Sequence, residues 1–303
     1  MIISPQTLLR DAKEKRYAVP AFNFYNLDIL FAALEAAEEE NAPVILEIYH
    51  VYYPFLHKKV IADAVLEALR SASVHCYLHL DHATDPAVIL DAMDAGFQSV
   101  MIDASLKSLE ENIAMTKSVV AEAKRRGVFT EAEIGHVPPA AEISDPCRLR
   151  LAEADECRRL VQETQVDSLA AAVGTAHGVY RMAPKIDFQR IRGIAGVVNV
   201  PLKLDFDRID VISKKVNIPL VLHGGSGTPD EAIRTAVSCG ITKVNVGTEL
   251  KHAWSKAMRA GLDAGELEPR ILSAGAREAV KEVARQKIRL LGAAGRNAAL
   301  TTL

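Results

Sequence analysis

Short apolar runs rich in β-branched residues alternate along this chain with longer segments whose apolar positions recur at helical spacing, the pattern of repeated βα units. Eight runs stand out: AVPAFN (18–23), PVILEIY (43–49), CYLHLDH (76–82), SVMIDA (99–104), FTEAEIG (129–135), SLAAAVG (168–174), PLVLHGG (219–225) and KVNVGT (243–248). Helical periodicity covers 27–41, 61–71, 86–95, 109–126, 153–164 and 229–239 between them. Asn26 is placed to cap the first of these helices, and Thr84-Asp85-Pro86 sets a proline in the first turn of the third, where a missing N–H costs nothing. The segment 249–299 holds enough helical pattern for a closing helix and an extra one, ended by Gly292 and Gly295. Eight strands with their crossovers predict an α/β fold, a (β/α)8 TIM barrel, with residues 1–303 forming one domain with extra C-terminal helices.

One internal repeat interrupts this regularity. Residues 185–202 (KIDFQRIRGIAGVVNVPL) align with 203–220 (KLDFDRIDVISKKVNIPL), and ten of the eighteen pairs are identical. The repeat contains a helix and the start of a strand. Only the second copy runs on into VLHGGSG, so only it is expected to form the seventh strand, with the first copy as extra surface structure.

Composition narrows the function classes. With 49% hydrophobic residues in 303, the chain can bury a large core. A net charge of −3 without a long basic tract gives no electrostatic footprint for nucleic acid or an anionic membrane, so small molecules are the expected partners. No charged leader followed by an apolar core opens the sequence and no apolar stretch approaches a membrane span, so the expected location is cytoplasmic. Cys76, Cys147, Cys157 and Cys239 are scattered without a Cys-x-x-Cys pair and are read as reduced structural residues.

In a barrel of this kind, chemistry sits where strands run into their following loops. Those ends are polar: Asn23 after strand one, Asp81-His82 after three, Asp103 after four, Glu133 after five, His177 in the loop after six, His223 after seven, Asn245 and Thr248 after eight. A single histidine at a strand end is usually an ordinary hydrogen-bonded residue. Three of them, His82, His177 and His223, converging on one mouth match a catalytic zinc site, with three neutral imidazoles and an open position. His50, His57, His75, His136 and His252 have no matching context, and His79 shares a strand face with Asp81 in a supporting or packing role. Asp81 reads as a general acid/base within reach of the metal, or as a brace for a ligand. Asp103 and Glu133 either brace ligands or hold a second metal. Gly224-Gly225-Ser226-Gly227 and Asn245-Val246-Gly247-Thr248 follow strands seven and eight, where barrels commonly bind phosphate. The loop 174–178 is a third backbone segment for phosphate or for a monovalent cation, Na+ or K+.

The motifs VPAFN, HLDHA, SVMIDAS, EAEIG, AVGTAHG, LHGGSG and KVNVGTEL, in this order, resemble the class II ketose-bisphosphate aldolases over nearly the whole chain, with PKIDFQRI and NVGTEL nearest the tagatose-bisphosphate branch. The resemblance implies zinc-dependent, reversible cleavage of a ketose 1,6-bisphosphate, fructose or tagatose, into dihydroxyacetone phosphate and glyceraldehyde 3-phosphate, a step of carbohydrate metabolism such as glycolysis. It implies Zn2+ on His82, His177 and His223, and Asp81 as proton donor to the aldehyde oxygen. It also implies dihydroxyacetone-phosphate contacts at Gly178, Gly224, Gly225, Ser226, Asn245, Val246, Gly247 and Thr248, with Asn23 facing the same mouth. A homodimer or homotetramer is expected.

Three segments depart from the family pattern. The loop after strand five reads HVPPAAEISDP in place of a Gly-Gly pair followed by acidic residues, and Glu142 is its candidate base. Strand two runs into LEIYHVYYPF, where the family has a small turn, so Tyr49, Tyr52 and Tyr53 are expected to narrow the aldehyde side. The duplication lengthens the interval between His177 and His223, which bears on contacts from Lys185 or Lys203. Two alternatives therefore stay open: an aldolase for another phosphorylated keto-sugar, and a catalytically impaired zinc- and phosphate-binding barrel acting as a subunit partner.

Overall fold

The computed structural model describes residues 1–140, 150–178 and 204–297. Eight strands, β1 (Val19–Asn23), β2 (Val44–Tyr49), β3 (Cys76–Ala83), β4 (Ser99–Ile102), β5 (Phe129–Ile134), β6 (Ser168–Ala171), β7 (Leu220–Leu222) and β8 (Ile241–Val246), close into one barrel in sequence order. Every pairing is parallel, including the seam between β1 and β8. The expected (β/α)8 architecture is therefore the observed one.

Eleven helices lie among the described residues: α1 (Pro5–Lys15), α2 (Leu27–Glu39), α3 (Tyr52–Phe55), α4 (Lys59–Ser71), α5 (Pro86–Asp94), α6 (Leu109–Arg126), α7 (Ala154–Thr164), α8 (Phe206–Val216), α9 (Asp230–Ser238), α10 (Thr248–Asp263) and α11 (Pro269–Leu290). Their starts follow local chemistry. Asn26 accepts from the Ile29 N–H at 3.0 Å, Asp85 accepts from Ala87 ahead of Pro86, and Ser108 and Glu111 form a reciprocal capping box on α6. The periodicity did not announce α1, whose Leu8, Leu9 and Ala12 are buried, or the single turn of α3.

The core is the layer between strands and helices, filled by side chains such as Leu30, Leu46, Leu78 and Ile288. At the C-terminus, α11 buries Leu272, Ala276, Val280, Ala284 and Ile288 and packs against α10 and α2. Arg285 and Arg289 clasp Glu40 beyond the end of α2 at 3.0 and 2.6 Å. The second repeat copy supplies α8 and runs on into β7; the first copy lies outside the described residues. Cys76, Cys157 and Cys239 are free thiols, and burial pushes the first two up to about 11 and about 12. Among the described residues no helix is long and apolar enough to cross a membrane.

Candidate active site

Successive residues of a strand face opposite sides of the sheet, so the adjacent Asp81 and His82 should not share the barrel mouth. A local irregularity resolves this. The register between β3 and β4 shifts between Leu80 and Ala83, and His82 adopts φ 51°, a left-handed conformation unusual for a residue with a Cβ. The bend turns the His82 ring into the mouth beside Asp81, and both line the same cavity.

His82, His177 and His223 come together there. Their ring centroids are 4.8 Å (His82–His177), 4.4 Å (His82–His223) and 5.9 Å (His177–His223) apart. One nitrogen of each ring lies within 4.8 Å of one nitrogen of the others. The outward-facing nitrogens are anchored: His82 Nδ1 meets Asp103 Oδ2 at 2.8 Å and His223 Nε2 meets Glu131 Oε1 at 3.0 Å. His82 Nε2 and His223 Nδ1 therefore face inward, 2.6 Å apart. Burial opposes charge on His82, but the Asp81 carboxylate, the hydrogen bond to Asp103 and the Glu133 carboxyl outweigh it and push the imidazole up to about 10. Burial and the His82 charge hold His177 and His223 well below the ordinary imidazole range. This set fits a divalent transition metal: imidazole donors converging on one point, two of them fixed in tautomer by carboxylates behind them.

Asp103 and Glu133 stand behind that point. Besides His82, Asp103 accepts from the Ser105 N–H at 3.0 Å, and the surrounding hydrogen bonds overcome burial to hold it below the usual carboxylate range. Glu133 is fully buried, accepts from the Val137 N–H at 3.1 Å and lies 3.7 Å from His82 Nδ1; burial, with the charge of Asp103, pushes it up to about 8. A second ion on Asp103 and Glu133 would compete for the His82 nitrogen that Asp103 already holds, so the geometry suits bracing better.

Asp81 is held by the two strands that close the barrel. Asn23 Nδ2 donates to Oδ2 at 2.9 Å and Asn245 Nδ2 donates to Oδ1 at 3.2 Å. Burial disfavours its charge, yet His82, His223, Lys243 and the Asn23 hydrogen bond hold the carboxyl below its ordinary value. Its nearest approach to His82, 3.8 Å, is too long for a hydrogen bond. An ionised carboxylate at the cavity wall, fixed by two amides and not spent on the rings, is a ready proton acceptor.

The cavity, about 530 Å³, opens between this group and two backbone turns. Gly224 has φ 69°, and a Cβ there would meet the Ala176 carbonyl oxygen at 2.4 Å; a Cβ on Gly247 would meet Tyr25 Oη at 2.6 Å and Asn23 Oδ1 at 2.8 Å. Side chains are thus excluded where the backbone must approach a ligand. Gly247 precedes α10 without a side-chain cap of its own, and the Glu249 N–H in the first turn donates to Ser226 Oγ at 3.4 Å, so the helix start and the turn after β7 meet at a place suited to an anion. Gly178, Gly224, Ser226, Asn245, Gly247 and Thr248 line the cavity. Gly225 and Val246 do not: the Gly225 N–H bonds the Asn245 carbonyl at 3.2 Å, and the Val246 side chain is wholly in the core.

Tyr49, His50 and Tyr52, from the end of β2 and the start of α3, line another part of the wall, with the Tyr52 ring 4.9 Å from that of Tyr25. Tyr53, expected with them, is fully buried with its ring 5.2 Å from that of Phe97, because one turn of α3 sends neighbouring side chains in different directions. His177 is tied by backbone to the loop after β5: its N–H bonds Pro138 O at 2.9 Å and its carbonyl accepts from Ala140 at 2.7 Å. Glu142, Cys147, Lys185 and Lys203 lie outside the described residues.

Several further residues belong to the site although no motif marks most of them. His50 and His136 line the cavity despite lacking a motif, and so does Lys251, one turn into α10 with its ammonium 5.2 Å from the Tyr25 ring centre. Beneath the mouth lies a layer with Glu47, His79, Glu131 and Lys243, all buried; His79 Nδ1 pairs with Ser99 Oγ at 2.7 Å. A signal existed for these residues. Glu131, Lys243 and His79 each precede a mouth residue by two positions, Glu133, Asn245 and Asp81, and so share its strand face.

Fold and site together define a (β/α)8 barrel with three imidazoles, a carboxylate and a helix start in one cavity. The profile of the family described as fructose-bisphosphate aldolase class-II matches residues 3–296, and the chain belongs to that family. It is a class II aldolase, a lyase, of a family acting on phosphorylated sugars. It is 37% identical to a fructose-bisphosphate aldolase of Staphylococcus epidermidis over 97% of this chain and 99% of that one. It is 39% identical to a 6-phospho-5-dehydro-2-deoxy-D-gluconate aldolase of Bacillus licheniformis over 97% and 96%. The crystal structure of the YdjI aldolase from Escherichia coli K12 superposes with a TM-score of 0.83 at 32% identity, covering 98% of this chain and all of that one.

Proposed function

We propose that this protein, as a single barrel domain, catalyses the zinc-dependent, reversible aldol cleavage of a ketose 1,6-bisphosphate, fructose or tagatose, to dihydroxyacetone phosphate and glyceraldehyde 3-phosphate. The observation that carries this reading is the meeting of the ring triad, Asp81 and the start of α10 in one cavity. His82, His177 and His223 would hold the zinc, which when bound supplies Lewis-acid stabilisation of the enediolate oxygens. Asp103 and Glu133 brace His82.

Cleavage between C3 and C4 requires the C4 hydroxyl to lose its proton. Asp81, ionised and held by Asn23 and Asn245, accepts it and returns it to the aldehyde oxygen in condensation. Gly178, Gly224, Ser226, Gly247 and Thr248 receive the phosphate at the α10 start, with Lys251 beside it, so binding of a non-reacting group orients the reacting carbons. Glu142 is proposed as the base for the C3 proton of dihydroxyacetone phosphate; Ala140, two residues before it, is hydrogen-bonded to His177. Loop 174–178 is the proposed monovalent-cation contact.

Chelation is expected to abolish cleavage of both bisphosphates and added zinc to restore it, and His223→Ala to lose zinc and activity together. Activity that survives chelation refutes the proposal. A second reading, an aldolase for another phosphorylated keto-sugar, is favoured by the bulk of Tyr49, His50 and Tyr52 in the cavity wall; relative cleavage rates across a panel of ketose phosphates decide between them. Light scattering on the purified chain tests the expected homodimer or homotetramer.

A further inference from the structure

Beneath the ring triad the barrel encloses an ion pair that no step above uses. Lys243, on β8, is fully buried with its ammonium 3.0 Å from Glu131 Oε2 and 3.4 Å from Glu47 Oε2. The other oxygen of Glu131, on β5, lies 3.0 Å from His223 Nε2. A chain of contacts therefore runs from a buried ammonium through one carboxylate to a ring of the triad.

Stability is a poor explanation for such a pair. Removing two charges from water costs several kcal/mol per ion in order of magnitude, and well-packed apolar replacements are often neutral or stabilising. The barrel interior accepts apolar side chains: Met101, Ala170 and Val221, from the neighbouring strands β4, β6 and β7, form a small buried cluster there. What the pair supplies is orientation. A carboxylate fixed on its far side by an ammonium accepts from His223 Nε2–H, which leaves the Nδ1 lone pair facing inward toward His82 and His177.

We propose that Lys243 and Glu131 are positioning residues for the metal site, acting as one unit that fixes the tautomer and ring orientation of His223. This rests on the reading of the triad as a zinc site. Loss of a partner behind a metal-ligating histidine typically lowers metal affinity about 10- to 100-fold.

The test is metal binding by the metal-stripped, full-length protein, read by chelator competition with Zn2+ and by the visible absorption of Co2+. Lys243→Met, Glu131→Gln and the double variant are compared with wild type, with the melting temperature of each stripped protein recorded. Each single variant that folds is expected to weaken Zn2+ binding about 10- to 100-fold and to change the Co2+ spectrum. The double variant is expected to lose no more than the worse single, because the two act through one contact. Glu131→Gln keeps shape and size and so serves where Lys243→Met fails to fold. Unchanged Zn2+ affinity and Co2+ spectrum in folded Glu131→Gln, or losses that add in the double variant, overturn the proposal. A wild-type protein that binds neither ion overturns the zinc reading itself, and this inference with it.

Discussion

Replacing Asp81 by asparagine separates proton transfer from metal binding. Asp81 accepts one amide hydrogen on each oxygen, from Asn23 at 2.9 Å and Asn245 at 3.2 Å. Asparagine keeps the shape but has one acceptor, so one charge-assisted hydrogen bond, worth about 1.5–3 kcal/mol, is lost; rotation of a neighbouring amide relieves part of the donor–donor contact. The stability cost is expected to be about 1–3 kcal/mol, within what a barrel of this size tolerates. The triad loses no hydrogen bond, since Asp81 comes no closer than 3.8 Å to His82, so zinc should stay bound, while removal of the Asp81 charge lowers the His82 imidazole from its raised value. Loss of the proton acceptor should lower kcat by about 10²–10⁴-fold, or about 2.7–5.4 kcal/mol of barrier. Steady-state cleavage of the preferred bisphosphate, with zinc measured on the same sample, gives both quantities. Exchange of the dihydroxyacetone-phosphate C3 proton should persist, because that step is assigned to Glu142. Zinc lost in parallel with activity, or a kcat within tenfold of wild type, refutes the assignment.

Asp103→Asn removes the anion from behind His82 and is expected to weaken zinc binding by about 10- to 100-fold, measured by chelator competition. Gly247→Ala places a methyl against Tyr25 and Asn23, and is expected to raise KM for phosphorylated substrates by roughly tenfold, about 1.4 kcal/mol, in steady-state assays. Glu40 is held below its ordinary value by its hydrogen bond to Arg289, against the cost of burial and with help from Arg285, so its contribution is present above its unfolded value and lost as pH falls through the folded one. Glu40→Gln should therefore destabilise the protein by ~1 kcal/mol at pH 7, with the difference in urea unfolding vanishing as the solution is acidified below about pH 4. Deleting 185–202 should leave a folded, zinc-binding barrel, because the second copy supplies α8 and runs on into β7; loss of soluble protein would show that the first copy belongs to the core.

The barrel is legible because its strands differ from its helices in hydrophobic period, and most strands run into polar residues. β7 and β8 show the limits. The run 219–225 ends as a strand at Leu222, since the backbone turns through Gly224 at positive φ, while β8 begins at Ile241, before the run expected for it. Asp81 and His82 were read together from their motif, although strand alternation alone would have set them on opposite faces; the bend that unites them is a backbone property that side-chain patterning does not encode. Tyr53 was misplaced for a related reason, a single helical turn being too short to show a period. Lys243 and Glu131 share a strand face with Asn245 and Glu133, but their meeting depends on strand register across the closed barrel, which the alternation of residues does not give.

Closure also determines when the site comes into being. The amides that hold Asp81 belong to β1 and β8, the first and last strands, which become neighbours only when the seam forms. During synthesis the middle of the chain can carry all three histidines before β8 exists, but the carboxylate cannot then have both its partners. Docking of the last strand thus gives Asp81 its second amide, from Asn245, and Glu131 its ammonium, from Lys243, in the same event, so both buried carboxylates are set together and only in the closed barrel.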